Sequence, residues 1–234
     1  MNQYNPYAQG VGRAQSLVDT NAFLRKVYAF MAAGLFATGV TATVVASSET
    51  LLDLIVGNRI VFYGLMIAEI GMVLVFSAAA RRLSTPAAAA LFFLYAVVNG
   101  ATLSIIFLMY TASSIGSTFF ITAGTFGALS AFGYATKRDL SGVGNFAFMG
   151  LIGLIIASVV NLFLHSTMIY WLTTFVGVIV FTCLTAYDTQ RIKALAAANP
   201  GAGETKLAMQ GALVLYLDFI NLFLYLLRLF GKRR

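Results

Sequence analysis

The stretch FAFMGLIGLIIASVVNLFL, residues Phe146–Leu164, decides the fold, because its 19 consecutive residues include no charged side chain. A run of about 20 apolar residues matches the roughly 30 Å hydrocarbon thickness of a bilayer, since a helix rises 1.5 Å per residue. Six other runs of the same kind occur along the chain. The predicted spans are Val27–Ser47, Ile60–Ala79, Ala87–Tyr110, Ile115–Tyr134, Phe146–Leu164, Met168–Tyr187 and Met209–Phe230.

The composition agrees with a membrane-embedded chain. Of the 234 residues, 60% are hydrophobic and only 10% are charged, whereas an ordinary soluble domain is about 25% charged. Peptide groups in lipid have no water to bind, so spanning segments must be helices or closed barrels. Runs this long, without alternation of polar and apolar residues, exclude a barrel. The sequence therefore predicts an all-α, polytopic bundle of seven transmembrane helices.

The chain divides by polarity into three parts. Residues 1–26 form a predicted cytoplasmic tail, residues 27–230 the membrane domain, and residues 231–234 a short basic tail. Lys and Arg in short loops favour the cytoplasmic side, and an N-inside orientation places most basic loop residues there. Seven crossings would leave the terminal GKRR outside, against that rule. A re-entrant or half-spanning seventh segment would remove the conflict, and both arrangements stay open at this stage.

The net charge of +7 points to lipid as the partner. The basic residues lie at helix ends and in short loops, where anionic headgroups are the simplest counter-charges. We therefore expect the lipid bilayer as partner and no nucleic acid. The single cysteine, Cys183, lies within the sixth span, which predicts a packing role and neither a disulfide framework nor a thiolate metal cluster.

Acidic residues inside the spans are the strongest functional signal. A charged side chain at the centre of a bilayer costs about 3 kcal/mol on insertion scales and persists only with compensation. Asp188 lies at the edge of the sixth predicted span, directly after Tyr187, and Asp218 lies within the seventh. The spacing of Asp218, Asn221, Tyr225 and Arg228 predicts one polar stripe on the last helix. A structural alternative is that Asp188 caps its helix at a wet interface while Asp218 binds Asn and Tyr neighbours.

A third intramembrane carboxylate, Glu69, lies in the second span. The three acids need partners, and the nearest cations by predicted depth are Arg81, Arg82 and Arg228.

Three segments resemble a known family: LYLDFINLFLYLLRLFG at residues 215–231, AYDTQRIK at 186–193 and TKRDLSG at 136–142. They are similar to the Bax inhibitor-1, or transmembrane Bax inhibitor motif, family, and more narrowly to its bacterial inner-membrane branch. The resemblance implies a central last helix surrounded by two layers of three helices. It also implies a pH-sensitive calcium leak of the cytoplasmic membrane.

The resemblance assigns roles to the polar residues as well. Asp188 and Asp218 match a proton-sharing sensor on the sixth and seventh helices, and Glu69 matches a carboxylate of the second helix. An arginine near the cytoplasmic end of the second helix pairs with an aspartate in the closed state, and Arg81 or Arg82 is the nearest match. Arg228 is a further candidate for this latch, and Asn221 and Tyr225 are predicted supporting residues.

Physical chemistry gives the pair a reason that is independent of the family. Two carboxyl groups within a few ångströms cannot both ionise cheaply, so a proton belongs to the pair. Losing that proton would replace an interhelical hydrogen bond with repulsion, which biases a two-state bundle. The same oxygens suit Ca²⁺, but two or three carboxylates fall short of six to eight ligands. We expect weak transit binding of calcium at Asp188 and Asp218, and no tightly bound cofactor.

Two other functions deserve comparison with the leak. Intramembrane aspartyl proteases also carry aspartates on neighbouring helices, but their Gly-x-Gly pattern is replaced here by Leu215, Tyr216 and Leu217 before Asp218. We therefore predict that the chain is not an enzyme. The resemblance also implies a regulatory alternative, a protein without transport activity that modulates a membrane-bound AAA protease or a stress response. Its expected contact site is the N-terminal tail.

Overall fold

A computed structural model describes residues 6–79, 82–198 and 204–234. Its described residues are almost entirely helical, and seven helical segments are long and apolar enough to cross a membrane, as predicted. The α-helices are α1 (Pro6–Ala46), α2 (Glu49–Leu52), α3 (Arg59–Ala79), α4 (Thr85–Leu103), α5 (Ile106–Met109), α6 (Ala112–Ala135), α7 (Ser141–Leu164), α8 (Thr167–Ala198) and α9 (Glu204–Phe230), with a π-helical turn at Asp53–Gly57.

The last helix, α9, lies at the centre of the bundle. It packs against α1, α4, α6 and α8, and Leu215, Tyr216 and Leu222 on it are fully buried. Helices α1, α3 and α4 form one contiguous layer, and α6, α7 and α8 form the other. Most of the remaining apolar surface faces outward, as lipid requires. The predicted arrangement of a central helix between two three-helix layers is confirmed.

Two helix boundaries differ from the prediction. Helix α8 continues to Ala198, so Asp188 lies inside a helix, whereas the sequence pattern placed it at a helix end. The continuation follows from good helix formers after Tyr187 and from Ile192, which is buried. The third span is interrupted after Leu103. There the Ser104 hydroxyl donates to the Ala101 carbonyl at 2.7 Å, which competes with the regular helical pattern.

The seventh segment forms one continuous helix, α9, that is long and apolar enough to cross a membrane, whereas the alternative arrangement had a re-entrant or half-spanning segment. With 27 residues, α9 is about 40 Å long at 1.5 Å per residue. Beyond it, the tail pairs with the end of the third span, where the Thr111 N–H donates to the Lys232 carbonyl at 3.1 Å. At the other end of α6, the Tyr134 hydroxyl donates to the Asn21 side chain of α1 at 2.7 Å, so Asn21 and residues 231–234 lie at opposite ends of the bundle. We call the end that contains residues 110–111, 165–166 and 231–234 the C-terminal end.

Helix α1 begins at Pro6, within the segment of residues 1–26 that was predicted as a polar tail. The apolar, membrane-length part of α1 begins at Thr20. The first five residues of the predicted tail lie outside the described residues. The cytoplasmic location of the tail stays a prediction.

Candidate functional site

The two aspartates meet between α8 and α9. Their side chains hydrogen-bond with each other, and both are buried, with Asp218 only 4% exposed. One carboxyl oxygen of Asp218, Oδ2, has no hydrogen-bond partner among the described residues. Two acids in direct contact hold together only if a proton lies between them, because two adjacent negative charges would repel strongly at low dielectric.

A positively charged residue stands next to the pair, and it is not one of the predicted latch candidates. Arg191, one helical turn after Asp188, acts electrostatically on the Asp188 carboxyl group. Both aspartates and Arg191 line one cavity of about 530 Å³ between α7, α8 and α9, which we call the dyad cavity. Asn145 and Asn221 add amide groups to its wall. The site therefore combines two adjacent carboxyl groups, a guanidinium and neutral amide oxygens.

The polar stripe of α9 faces α8 along its length. Two helical turns after Asp218, the ring of Tyr225 stacks on Phe181 with centroids 5.8 Å apart. Farther along, the Arg228 guanidinium lies over the Tyr170 ring at 5.7 Å and over Tyr225 at 5.3 Å. The interface between α8 and α9 is therefore polar or aromatic at successive turns, which agrees with the predicted spacing.

Two of the three arginines predicted as partners, Arg82 and Arg228, lie away from the pair. Arg228 is ten residues from Asp218, about 15 Å along the helix. Arg82 is exposed in the turn after α3 and does not line the dyad cavity. Arg81 lies outside the described residues. Sequence reasoning missed Arg191, because the pattern ended the sixth span at Tyr187 and so placed this arginine in a loop. Arg191 follows Asp188 by three residues, and side chains at this spacing are neighbours on one helix. A prediction that continued the helix past Tyr187 would therefore have identified Arg191 as a neighbour of Asp188.

Two of the family-like segments contact each other beside the pair. Gln190 accepts the Leu140 N–H at 2.9 Å and donates to the Arg138 carbonyl at 2.9 Å. The Lys193 ammonium donates to the Tyr134 carbonyl at 2.7 Å. These bonds tie the turn between α6 and α7 to the part of α8 that carries Asp188. They also commit the Lys193 charge to another partner, so it does not replace Arg191.

Glu69 belongs to a second polar cluster on the other side of α9. Its carboxylate accepts from the Thr102 hydroxyl at 2.6 Å and from the Asn99 amide at 3.1 Å. The Asn99 side-chain oxygen in turn accepts from the Tyr216 hydroxyl at 2.9 Å. The same Tyr216 hydroxyl lies 2.6 Å from the Thr38 hydroxyl. A chain of hydrogen bonds therefore joins α3, α4, α9 and α1 across the bundle. Glu69 and the aspartates do not contact each other.

Three cavities follow one another through the bundle. The dyad cavity shares Leu217 and Asn221 with a second cavity of about 450 Å³, which Glu69 also lines. The second cavity, called the Glu69 cavity, shares Tyr170, Arg228 and Arg233 with a third one of about 800 Å³. This third cavity, called the end cavity, lies at the C-terminal end. Asn221, predicted as a supporting residue, thus stands in the wall between the two acid-lined cavities.

The seven apolar helices and the buried acids define a polytopic α-helical membrane protein. Comparison with known proteins narrows this class. The family model "Inhibitor of apoptosis-promoting Bax1" matches residues 20–234, and the chain belongs to this Bax inhibitor-1 family.

Several relatives match over most of their length. The chain is 48% identical to the inner membrane protein YbhL of Escherichia coli K12, over 95% of this chain and 98% of that protein. It is 45% identical to the uncharacterized protein RP147 of Rickettsia prowazekii, over 91% and 90% of the two chains. It is 43% identical to an uncharacterized protein of Borreliella burgdorferi, over 94% and 96%. Together with the seven spans, these matches identify a multi-pass inner membrane protein.

Proposed function

We propose that this protein is a pH-sensitive cation leak of the inner membrane, controlled by the Asp188–Asp218 pair, with calcium as the permeant ion. The observation that carries the proposal is the hydrogen bond between two buried carboxyl groups that also line a cavity. Intramembrane acids are costly and are usually functional. The proposed role uses these groups for gating and ion contact, with no catalytic step.

The shared proton supplies the pH sensitivity. While the pair holds its proton, a hydrogen bond links α8 to α9. Removing the proton leaves two carboxylates in contact, and their repulsion favours separation of the helices. Arg191 opposes that repulsion, because its charge stabilises an ionised Asp188. The equilibrium between the two arrangements therefore depends on pH and on the Arg191 charge.

The row of cavities supports a route for an ion. From the dyad cavity, a cation would pass Leu217 and Asn221 to reach the Glu69 cavity. Each of these two cavities offers carboxylate and amide oxygens, the ligand types that Ca²⁺ prefers. Each also offers fewer oxygens than the six to eight of a tight calcium site. Weak binding at successive positions suits passage, because an ion that binds tightly does not leave.

The test is calcium flux into liposomes that contain the purified full-length protein and a trapped calcium dye. We expect flux that differs between acidic and alkaline pH in the wild type. Asp188→Asn and Asp218→Asn each keep the size of the side chain but leave a single carboxyl group, so no proton can be shared between two acids. The pH dependence of the flux should therefore be weakened or its midpoint shifted in both variants.

Asp139→Asn is the matched control. Asp139 lies outside the spans, and hydrogen bonds from Ser141 lower the pKa of its carboxyl group, so this variant also removes one negative charge. It should behave like the wild type. If both dyad variants keep the wild-type flux and its pH dependence, the proposed mechanism is wrong.

A further inference from the structure

The end cavity is lined by positively charged residues without a matching acid. It is lined by Arg228, Arg233 and His165, together with hydroxyl and amide side chains such as Ser158 and Asn161, and its lining residues include no acid. Within the described part of the chain, the Arg228 guanidinium makes cation–π contacts with Tyr170 and Tyr225 and no hydrogen bond or ion pair. An arginine held in this way keeps all its N–H donors available.

Tyr170 holds the two arginines near each other. The Arg233 guanidinium donates to the Tyr170 hydroxyl at 2.8 Å and lies 5.8 Å from its ring centroid. The Arg233 backbone is fixed as well, since Arg233 pairs with Tyr110 in an isolated antiparallel bridge. Two positive charges are thus positioned around one ring by contacts that leave their charge uncompensated. Neither arginine is simply a mobile surface side chain.

The acid that lines the neighbouring cavity does not supply the missing charge. Glu69 lines the neighbouring cavity, which shares Arg228 and Arg233 with the end cavity. Its carboxylate is hydrogen-bonded to Asn99 and Thr102 on α4. The two arginines therefore have no negatively charged partner among the described residues that line these cavities. An anion from outside the chain would supply that charge.

The position of the end cavity indicates the source of that anion. It lies between the end of α7 and the start of α8, where Trp171 and Tyr170 are at the level expected for interfacial aromatic residues. The apolar side chains beside it face outward, with Phe163 79% and Met168 81% exposed. A molecule bound there would meet cationic and hydroxyl groups at one end and an apolar helix surface at the other. That combination matches a phospholipid, whose phosphate is a good acceptor for the guanidinium fork.

We infer that the end cavity is a binding site for an anionic phospholipid, with the headgroup phosphate between Arg228 and Arg233 and the acyl chains on the outer faces of α7 and α8. Phosphatidylglycerol is a suitable probe of this class. The site also has a consequence that rests on the proposed function: a bound phosphate would neutralise the positive charge at the mouth of the Glu69 cavity and so favour cation passage.

The chain contains a built-in reporter for this site, because its single tryptophan, Trp171, lines the end cavity. The full-length protein is reconstituted into bilayers that contain phosphatidylglycerol or phosphatidylcholine with brominated acyl chains. Bromine quenches tryptophan fluorescence at short range, so the quenching measures which lipid occupies the site. Each nearby basic residue favours anionic lipid by about fivefold. We expect brominated phosphatidylglycerol to be preferred by roughly tenfold or more when both arginines contribute.

Three variants test the assignment. The double variant Arg228→Gln/Arg233→Gln should lose the preference. Lys232→Gln, which removes an equal charge from the same tail but outside the cavity lining, should keep it. The variant Arg228→Lys/Arg233→Lys retains the charges without the planar fork. It should keep a reduced preference, and it serves as the test if the glutamine variant fails to fold.

Three results would overturn the inference. The wild type could be quenched equally by both lipids, or the preference could survive in the double glutamine variant, which would indicate general surface attraction. Inorganic phosphate in the buffer could abolish the quenching by phosphatidylglycerol, which would make the cavity a site for free anions. Calcium flux measured in the same bilayers tests the consequence separately. An absence of flux would count against the proposed function, while the quenching data would still decide the lipid site.

Discussion

Replacing Tyr216 with phenylalanine tests the chain of hydrogen bonds that crosses the bundle. The Tyr216 side chain is fully buried at the centre of the fold. Its hydroxyl donates to Asn99 on α4 at 2.9 Å and lies 2.6 Å from the Thr38 hydroxyl on α1. The substitution removes one oxygen and leaves the ring, so the aromatic contacts of Tyr216 with Phe92 and Tyr95 should persist.

The expected loss follows from the number of bonds removed. Interhelical hydrogen bonds in membrane proteins contribute about 0.6 kcal/mol on average and at most about 1.7 kcal/mol, and two are lost here. The Asn99 side-chain oxygen also loses its donor in a buried position, which costs about 1–3 kcal/mol. These ranges overlap, and we expect Tyr216→Phe to lower the free energy of unfolding by about 1–2 kcal/mol. The Thr38 hydroxyl keeps the Ala96 carbonyl as a partner at 2.9 Å, which limits the loss.

The assay is reversible unfolding in mixed micelles with increasing SDS, followed by Trp171 fluorescence and circular dichroism. Tyr95→Phe is the matched control, because Tyr95 is also buried, on α4, and its hydroxyl has no hydrogen-bond partner among the described residues. It should unfold like the wild type. The reasoning is refuted if the two variants lose the same stability, or if Tyr216→Phe loses less than about 0.3 kcal/mol, half of one average bond.

Two further predictions concern the surroundings of the aspartate pair, and a third concerns the N-terminal segment. In Gly133→Ala, the new Cβ would overlap the backbone carbonyl oxygen of Ala186, so α6 and α8 must separate. We expect a loss of about 1–3 kcal/mol in the same unfolding assay, whereas Gly127→Ala, which meets nothing within 4 Å, should be neutral or stabilising. In Arg191→Gln, loss of the charge that favours ionised Asp188 should shift the midpoint of the flux–pH curve to higher pH; an unchanged midpoint would exclude Arg191 as counter-ion. Removal of residues 1–19, which precede the family match, should leave calcium flux intact. A co-purified AAA protease that is lost on this truncation would support the regulatory alternative instead.

Close packing of α6 against α8 links Gly133 to the position of Asp188. Ala186, which Gly133 contacts, is two residues from Asp188 on α8. A displacement of α8 at this point would change the distance between the two carboxyl groups. The unfolding and flux assays on Gly133→Ala therefore report on the same contact, and a destabilised variant with unchanged pH dependence would show that the pair tolerates the displacement.

Local sequence patterns predicted the helices and the pair, but they placed one boundary wrongly. The apolar runs identified all seven spans, because each must satisfy its own backbone in lipid. Asp218 lies inside the seventh apolar run, so the sequence alone predicted that this carboxyl group lies within the membrane. Asp188 lies where the apolar pattern gives way to TQRIK, and there hydropathy alone ended the helix too early. Helix propensity and the burial of Ile192 extend it, which puts Arg191 on the same helix as Asp188.

The partners of each polar side chain could not be predicted from spacing. Helical periodicity places Asp218, Asn221, Tyr225 and Arg228 on one face, but it does not say which helix that face meets. The packing of α9 against α8 decides that Asp218 contacts Asp188 and that Arg228 contacts Tyr170. It also separates Glu69 from both aspartates, on the opposite side of α9.

The amino-acid sequence by itself determined that this protein is a seven-helix membrane bundle of the Bax inhibitor-1 family with acids inside its spans. Hydrophobicity is a local property of consecutive residues, so a linear pattern can specify it. Only the tertiary structure decided that Arg191 faces the pair and that three cavities follow one another through the bundle. It likewise decided that Arg228 and Arg233 share one ring at the C-terminal end. These relations join residues far apart in the chain, and they exist only once the helices have packed around α9.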